Sequence, residues 1–234
     1  MPSDVANPQT PSHVASGVVV FDFDGTLVSR DSFIDFSVRY CAARPARFLL
    51  VVALLPLAGL CLALRSQGAA GSLLLWAMTL GTSTRAFVEA LRGYARQTLP
   101  GYANDSIFEE LRRHRDEGRL VAIATGSVPL LVRGLLEARD LGRLPIVGTR
   151  LRRRWGGLVA ATHCTGQVKV DELRRRFAIA TWSTVYTNSF ADSPLLSGAR
   201  EIILVCPSRR TLLLTQRMID PATPLRVLRP KRKI

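Results

Sequence analysis

The sequence predicts an α/β protein in which a parallel-sheet core is interrupted by an apolar helical insertion. Three observations carry that expectation. Val18-Val19-Val20, Leu120-Val121-Ala122-Ile123-Ala124 and Thr184-Val185-Tyr186 are short apolar or β-branched runs of the kind buried in parallel sheets. Each ends in polar residues, and open α/β sheets bind ligands at the carboxyl ends of their strands. Between the first and second runs, residues 48–64 form a stretch of 17 without one charge.

The first run leads into Phe21-Asp22-Phe23-Asp24-Gly25-Thr26-Leu27. Alternation along a strand points Asp22 and Asp24 the same way. Gly25 lets the backbone turn out of the sheet. Two neighbouring carboxylates repel unless a cation or a shared proton relieves them, so the pair reads as a Mg²⁺ site. A carboxylate placed there is also a candidate covalent nucleophile toward phosphorus.

A length of 234 residues suits one α/β domain with an insertion, or two small domains, and 47% hydrophobic residues are enough for a real core. The net charge of +14 asks for an anionic partner, either nucleic acid or an anionic membrane surface. No RNA-reading or zinc-finger pattern is present, so nucleic acid is not expected, and no obligate protein partner is evident. Cys41, Cys61, Cys164 and Cys206 are scattered without CxxC spacing and read as thiols of a reducing compartment. Residues 1–16 are polar, lack the order of a secretory signal, and read as a disordered leader.

After the acidic turn, Asp31 or Ser32 is expected to cap a helix through Phe33, Phe36 and Val38, which Ala42-Ala43-Arg44-Pro45 breaks. The uncharged stretch 48–64 follows, flanked by Arg44, Arg47 and Arg65, and Pro56 and Gly59 predict a kink inside it. A link over 66–72 and a second apolar run, 73–80 with Trp76, complete the pair. A straight helix over 48–64 is about 26 Å long, short of the roughly 30 Å hydrocarbon core. A single crossing would also put Asp22 and Asp24 on the opposite side of a bilayer from every later candidate residue. The expectation is therefore a re-entrant or interfacial helical hairpin turning at Pro56 or at 66–72; a buried helical cap is the alternative. An amphipathic helix follows over 82–98, with Phe87, Leu91 and Tyr94 on one face, and another ends near Glu117-Gly118. Its Arg112, Arg113, His114 and Arg115 are expected at the surface.

The second run ends in Thr125-Gly126-Ser127, where N–H groups at a helix N-terminus, with hydroxyls, form a phosphate seat. Ser127 is equally suited to cap that helix. Residues 144–161 read as short strands around Arg150, Arg152, Arg153 and Arg154, then Trp155-Gly156-Gly157, facing lipid headgroups or solvent. Lys169 stands in the first turn of a predicted helix over 170–179, against the helix dipole, a placement that suits a lysine facing an anion. The third run continues as Thr187-Asn188-Ser189-Phe190-Ala191-Asp192. A strand is expected over 201–206, a helix or hairpin around 212–218, and a basic tail over 223–234 that meets anionic lipid or solvent.

The stretch 21–27 resembles the first motif, DxDGT, of the haloacid dehalogenase (HAD) phosphohydrolases. The later stretches follow in that superfamily's order: Thr125, Lys169, then Asn188 with Asp192 four positions on. The short Thr-Gly-Ser, Gly166-x-x-Lys169 and the run from Tyr186 to Leu196 resemble subfamily IB, whose cap lies between the first two motifs. The apolar insertion, Arg154-Trp155-Gly156-Gly157 and His163-Cys164-Thr165-Gly166-Gln167-Val168-Lys169 are similar to the bacterial phosphatidylglycerophosphatase C family. The resemblance implies a HAD-type Rossmannoid core over 17–31 and 101–222, with a helical, membrane-associated cap over 32–100. It implies that Asp22 takes the phosphoryl group, Asp24 protonates the leaving oxygen and later activates water, and Thr125, Gly126 and Lys169 hold the phosphate. Asp22, Asp24, Asn188 and Asp192 would bind Mg²⁺, with Asn188 standing where the family commonly has Asp; which of Asn188 and Asp192 touches the metal stays open. The implied reaction is Mg²⁺-dependent hydrolysis of a phospholipid phosphomonoester, phosphatidylglycerophosphate to phosphatidylglycerol, at the cytoplasmic face of a bacterial inner membrane. The alternatives are a soluble phosphatase for a small phosphomonoester such as phosphoserine, and a non-enzymatic membrane-binding protein.

Overall fold

The structure, a computed structural model, describes residues 17–64, 66–142, 144–178 and 181–230. The expected leader over 1–16, Arg65 and the last four residues of the tail lie outside these. Six parallel strands form one sheet in the order β3-β2-β1-β6-β7-β8: β1 Val18–Phe21, β2 Leu120–Ala124, β3 Ile146–Val147, β6 Trp182–Thr187, β7 Ala199–Val205 and β8 Leu225–Leu228. The strands read as apolar runs because helices cover both faces. Val19, Phe21, Val121 and Ile123 pack on one face, with helices α5 Asp105–Asp116 and α6 Pro129–Glu137. Val18, Val20, Ala122 and Ala124 pack on the other, with α7 Gln167–Phe177 and α8 Ser193–Leu196. The chain moves outward from β1 first to β2 and β3, then returns to β6 on the other side. The switch point at the end of β1 is where such sheets bind ligands, and Asp22 follows it directly.

Four helices fill the insertion: α1 Ser32–Ala42, α2 Pro45–Ala63, α3 Gln67–Thr79 and α4 Thr84–Gln97. Asp31 caps α1, accepting from Ile34 N at 2.9 Å. Helix α4 buries Phe87, Leu91 and Tyr94 and docks on α6, where a Cβ at Gly134 would run into the Ala95 side chain. Helix α2 continues through Pro56, so the hairpin does not turn there, and residues 67–72, expected as a link, are already helical in α3. Only Ala58 of α2 is buried, while Phe48, Leu49, Val52, Leu55, Leu57, Leu60 and Leu62 are between 43% and 66% exposed.

Two of the sequence-derived boundaries are corrected. Strands β4 Arg150–Arg154 and β5 Gly157–Thr162, assigned to the core by position, pair as an antiparallel hairpin and lie along α3. Leu158 N donates to Thr79 Oγ1 at 2.8 Å, and Trp76 Nε1 to the Trp155 carbonyl at 3.0 Å. A Cβ at Gly157 would stand 2.6 Å from the Trp76 ring, so glycine is what admits the indole. Trp76, expected at an interfacial depth, is thus half-buried under the hairpin, and Trp155 is the exposed indole, at 75%. The second correction concerns the basic tail: Leu225–Leu228 extends the sheet as β8, pairing Ile202 with Leu225 and Val205 with Leu228. Its arginine spacing hid an edge strand, because an edge exposes alternate residues and tolerates charge there.

Candidate active site

The site grows from the end of β1. Asp22 N donates to the Tyr186 carbonyl of β6 at 2.8 Å, which seats the first carboxylate between the two strands. Gly25 adopts φ +78°, and a Cβ there would collide with the Asn188 side chain. The turn therefore needs glycine twice over, for its backbone and for the amide that lies on it.

Lys169, in the first turn of α7, reaches between two acids. Its Nζ donates to Asp22 Oδ1 at 2.8 Å and to Asp192 Oδ1 at 2.7 Å. Asp22 is 5% exposed, and Lys169 and Asp192 are 4% exposed each. The anion that the lysine's position called for is a pair of carboxylates. Burial opposes the lysine's charge, yet Asp22 and Asp192 together hold its pKa above the ordinary value. Burial pushes the Asp22 carboxyl up to about 7, with Lys169 pulling it down and Asp192 adding to the rise. The second Asp192 oxygen accepts from Thr187 Oγ1 at 2.7 Å, so both its oxygens have donors. Among the described residues, Asp22 Oδ2 has only a long 3.4 Å contact from Thr26 Oγ1.

Asp24 is held at both oxygens. Ser32 N donates to Oδ1 at 2.7 Å and Thr125 Oγ1 to Oδ2 at 3.3 Å. Burial raises its pKa, opposed by the donors from Ser32 and Ser127. Ser127 does not cap α6, as its position had suggested. Val128 occupies that place without a side-chain bond, and the Ser127 hydroxyl lies 3.0 Å from that of Ser32. Gly126 is tied down through its carbonyl, which accepts from Thr149 Oγ1 at 2.5 Å.

The structure thus brings Asp22, Asp24, Thr125, Lys169, Asn188 and Asp192 to one end of the sheet, with Gly126 beside Thr125. Two buried carboxylates, Asp22 and Asp192, share one ammonium, and half-buried Asp24 stands beside them, an excess of negative charge that a bound cation would relieve. The donors are all oxygens, the set a hard ion such as Mg²⁺ takes. Among the described residues, no three His, Cys, Asp or Glu side chains form a cage on their own. Ser32, Ser127 and Thr187 were missed as site residues. Their local signal, small hydroxyl residues at strand ends and helix starts, is the same as that of ordinary caps.

His114, expected at the surface, is 4% exposed. Its Nε2 lies 2.9 Å from Tyr186 Oη, which donates to Glu110 at 3.0 Å. The Tyr186 ring stacks on Phe21 at 4.2 Å, behind the strand that carries Asp22. Burial, with Arg119 and Arg113, holds the His114 pKa below 6.5. The unfolded chain therefore binds this proton more readily, and stability falls as pH drops below about 6.5. Asp22, whose pKa is raised to about 7, acts oppositely in that window, so the comparison is with His114→Gln, which keeps it. The melting-temperature advantage of the wild type over His114→Gln is expected to shrink from pH 7.5 to pH 5; a constant difference refutes the assignment.

Residues 19–197 match the family of haloacid dehalogenase-like hydrolases. The chain belongs to that family, and its fold is that of a hydrolase of this class. Among curated relatives, Protein CicA of Caulobacter vibrioides is 30% identical over 190 residues, 79% of this chain and 83% of CicA. Among solved structures, a Bordetella pertussis Tohama I protein of unknown function has TM-score 0.69 at 18% identity, covering 89% of this chain and 97% of that one. A phospho-aspartyl intermediate analogue of phosphoserine phosphatase has TM-score 0.52 at 16% identity, covering 90% and 92%.

Proposed function

We propose that this protein is a Mg²⁺-dependent phosphomonoester hydrolase that works through an aspartyl-phosphate on Asp22. The observation that carries this reading is Lys169 bonded to Asp22 and Asp192 at 2.8 and 2.7 Å, with Asp24 two residues beyond Asp22. Phosphoryl transfer needs positioning and charge neutralisation more than covalent chemistry from the protein. The Asp22 carboxylate attacks phosphorus while Asp24 protonates the departing oxygen. Lys169 keeps the Asp22 and phosphoryl charges compensated, and the Gly126 backbone with the Thr125 hydroxyl, which turns to the phosphoryl group from its long 3.3 Å contact with Asp24, receives the phosphoryl oxygens. Asp24 then takes a proton from the water that cleaves the aspartyl-phosphate. Asp22, Asp24, Asn188 and Asp192 would hold Mg²⁺, directly or through water. When bound there, Mg²⁺ would act as a Lewis acid toward the phosphoryl oxygens.

For the substrate, the solved neighbour named for phosphoserine supports a small phosphomonoester of that kind. A specific observation favours a second reading, a phosphomonoester anchored in a bilayer such as phosphatidylglycerophosphate. Helix α2 has 19 residues, is long and apolar enough to span a membrane, and is almost wholly uncovered. Arg44 and Arg47 lie at its start, and Arg152, Arg153 and Arg154 with exposed Trp155 lie at the hairpin beside α3. Both ends of α2 return to elements anchored on one core, so on this reading it lies in the plane of an anionic membrane and leaves the site on one side.

Phosphate release from phosphoserine, phosphatidic acid and phosphatidylglycerophosphate, with and without Mg²⁺, separates the readings. Turnover confined to phosphoserine supports the first, and preference for the lipids the second. No Mg²⁺-dependent release from any of them, or from p-nitrophenyl phosphate, overturns the proposed function. Changing Leu49, Val52, Leu55 and Leu60 to Ser is expected to abolish sedimentation with phosphatidylglycerol-containing vesicles and to lower lipid turnover at least tenfold, with p-nitrophenyl phosphate turnover kept. Equal loss on both substrates would mean that α2 serves the fold.

A further inference from the structure

We propose that Ser32 and Ser127 are a positioning pair that fixes Asp24 in the orientation from which it protonates the leaving oxygen. The inference rests on the proposed function and adds to it two residues that hold the acid without touching substrate. Four residues form a closed ring. Ser32 N donates to Asp24 Oδ1 at 2.7 Å, and the Ser32 and Ser127 hydroxyls are 3.0 Å apart. Ser127 N donates to Thr125 Oγ1 at 2.9 Å, and Thr125 Oγ1 donates back to Asp24 Oδ2 at 3.3 Å.

Neither serine is needed where it stands for ordinary helix capping. Asp31 caps α1, and Val128 stands at the cap position of α6 without a side-chain bond. Both serines are buried, yet each hydroxyl has a partner only because the other is present or because Asp24 is near. A buried hydroxyl left unpaired is costly, so the pair is held together and carries the Ser32 N–H with it. The ring also crosses a boundary in the chain. Ser32 is the first residue of the inserted helices and Ser127 lies 95 residues on, in the loop after β2. Docking the root of the insertion on that loop is therefore the event that adds the Ser32 N–H at Asp24 Oδ1 to the Thr125 contact at Oδ2. Left with one oxygen held, the carboxyl is free to turn about its side-chain bonds, and a misplacement near 1 Å costs on the order of 10²-fold in rate.

A positioning role for an acid has a signature that a packing role lacks. An alkoxide must be protonated as it leaves, whereas p-nitrophenolate leaves without help. The test measures kcat/KM, which reports the steps through phosphoryl transfer, for p-nitrophenyl phosphate and for the alkyl phosphomonoester turned over in the panel above. Ser32→Ala and Ser127→Ala are expected to lose about 10- to 100-fold on the alkyl substrate and several-fold less on the aryl one. Ser127→Thr, which keeps the hydroxyl, is expected to recover the alkyl rate. Asp24→Asn is the control and should show the same split more strongly. If Asp24→Asn shows no split, the acid assignment in the proposed function fails. If it does while both alanine variants lose equally on the two substrates, or lose nothing, the positioning role is overturned. Should Ser32→Ala fail to fold by circular dichroism, Ser127→Ala and Ser127→Thr decide alone.

Discussion

Replacing Asp22 with Asn is expected to lower phosphate release on the order of 10⁴-fold or more, the scale lost when an attacking group is removed from a working site. The fold should survive. The amide oxygen of Asn can still accept from Lys169, whose Nζ keeps its 2.7 Å bond to Asp192. The change also removes a charge that the protein holds at a cost, since burial raises the Asp22 pKa to about 7. An acid with a raised folded pKa stabilises the fold below its unfolded value of 3.8 and loses that contribution as pH climbs through about 7. The melting temperature of Asp22→Asn should therefore equal or exceed that of the wild type at pH 8, and by less at pH 5. Trapping phosphate on the protein by acid quench gives the second readout, with label on the wild type and none on the variant. Appreciable turnover by the variant, or label on it, would refute the nucleophile.

Lys169→Met is expected to damage both activity and stability. Methionine fills much of the same volume, so packing loss is small and electrostatics dominates. Removing one partner from a buried ionic cluster costs about 3–5 kcal/mol, because the charge left behind has lost its compensation. Here two carboxylates are stranded, Asp22 and Asp192. Without the lysine that holds its pKa down, Asp22 should titrate higher still. The sign follows: Lys169→Met is most unstable at pH 8 and recovers as acidification supplies the missing proton. Thermal melts from pH 5 to pH 8 measure this directly. A deficit that stays the same at every pH would place the lysine's contribution in packing.

Much of this site was legible in one dimension. Two acids two apart after an apolar run, a threonine at the end of another run, a lysine in a helix's first turn and an acid four past Asn188 are each local signals with a physical cause. Strand alternation, turn chemistry and the helix dipole act over a few residues, so they can be read along the chain. The insertion was legible for a similar reason, since no ordinary amphipathic helix lacks charge over residues 48–64.

What could not be read was whatever depended on a partner far along the chain. His114 sits among arginines and looked solvated, but Phe21 and Tyr186 bury it. The arginine-rich segment looked like strands meeting lipid headgroups or a solvated hairpin, and α3 covers one side of it. The tail looked like a charged appendage until β7 offered it an edge. Ser32 and Ser127 each looked like a helix cap.

By itself the sequence determined the family, the strands that build the core, the carboxylates and lysine of the site, and the presence of an uncharged helix. Only the tertiary structure decided that Lys169 is shared between Asp22 and Asp192, 147 and 23 residues away, and that Asp24 is clamped from the root of the insertion. It alone left α2 uncovered along its length. The reason is that patterning records whether a residue prefers burial or a turn, while the identity of its neighbour is set by how the sheet orders its strands and where the helices come to rest.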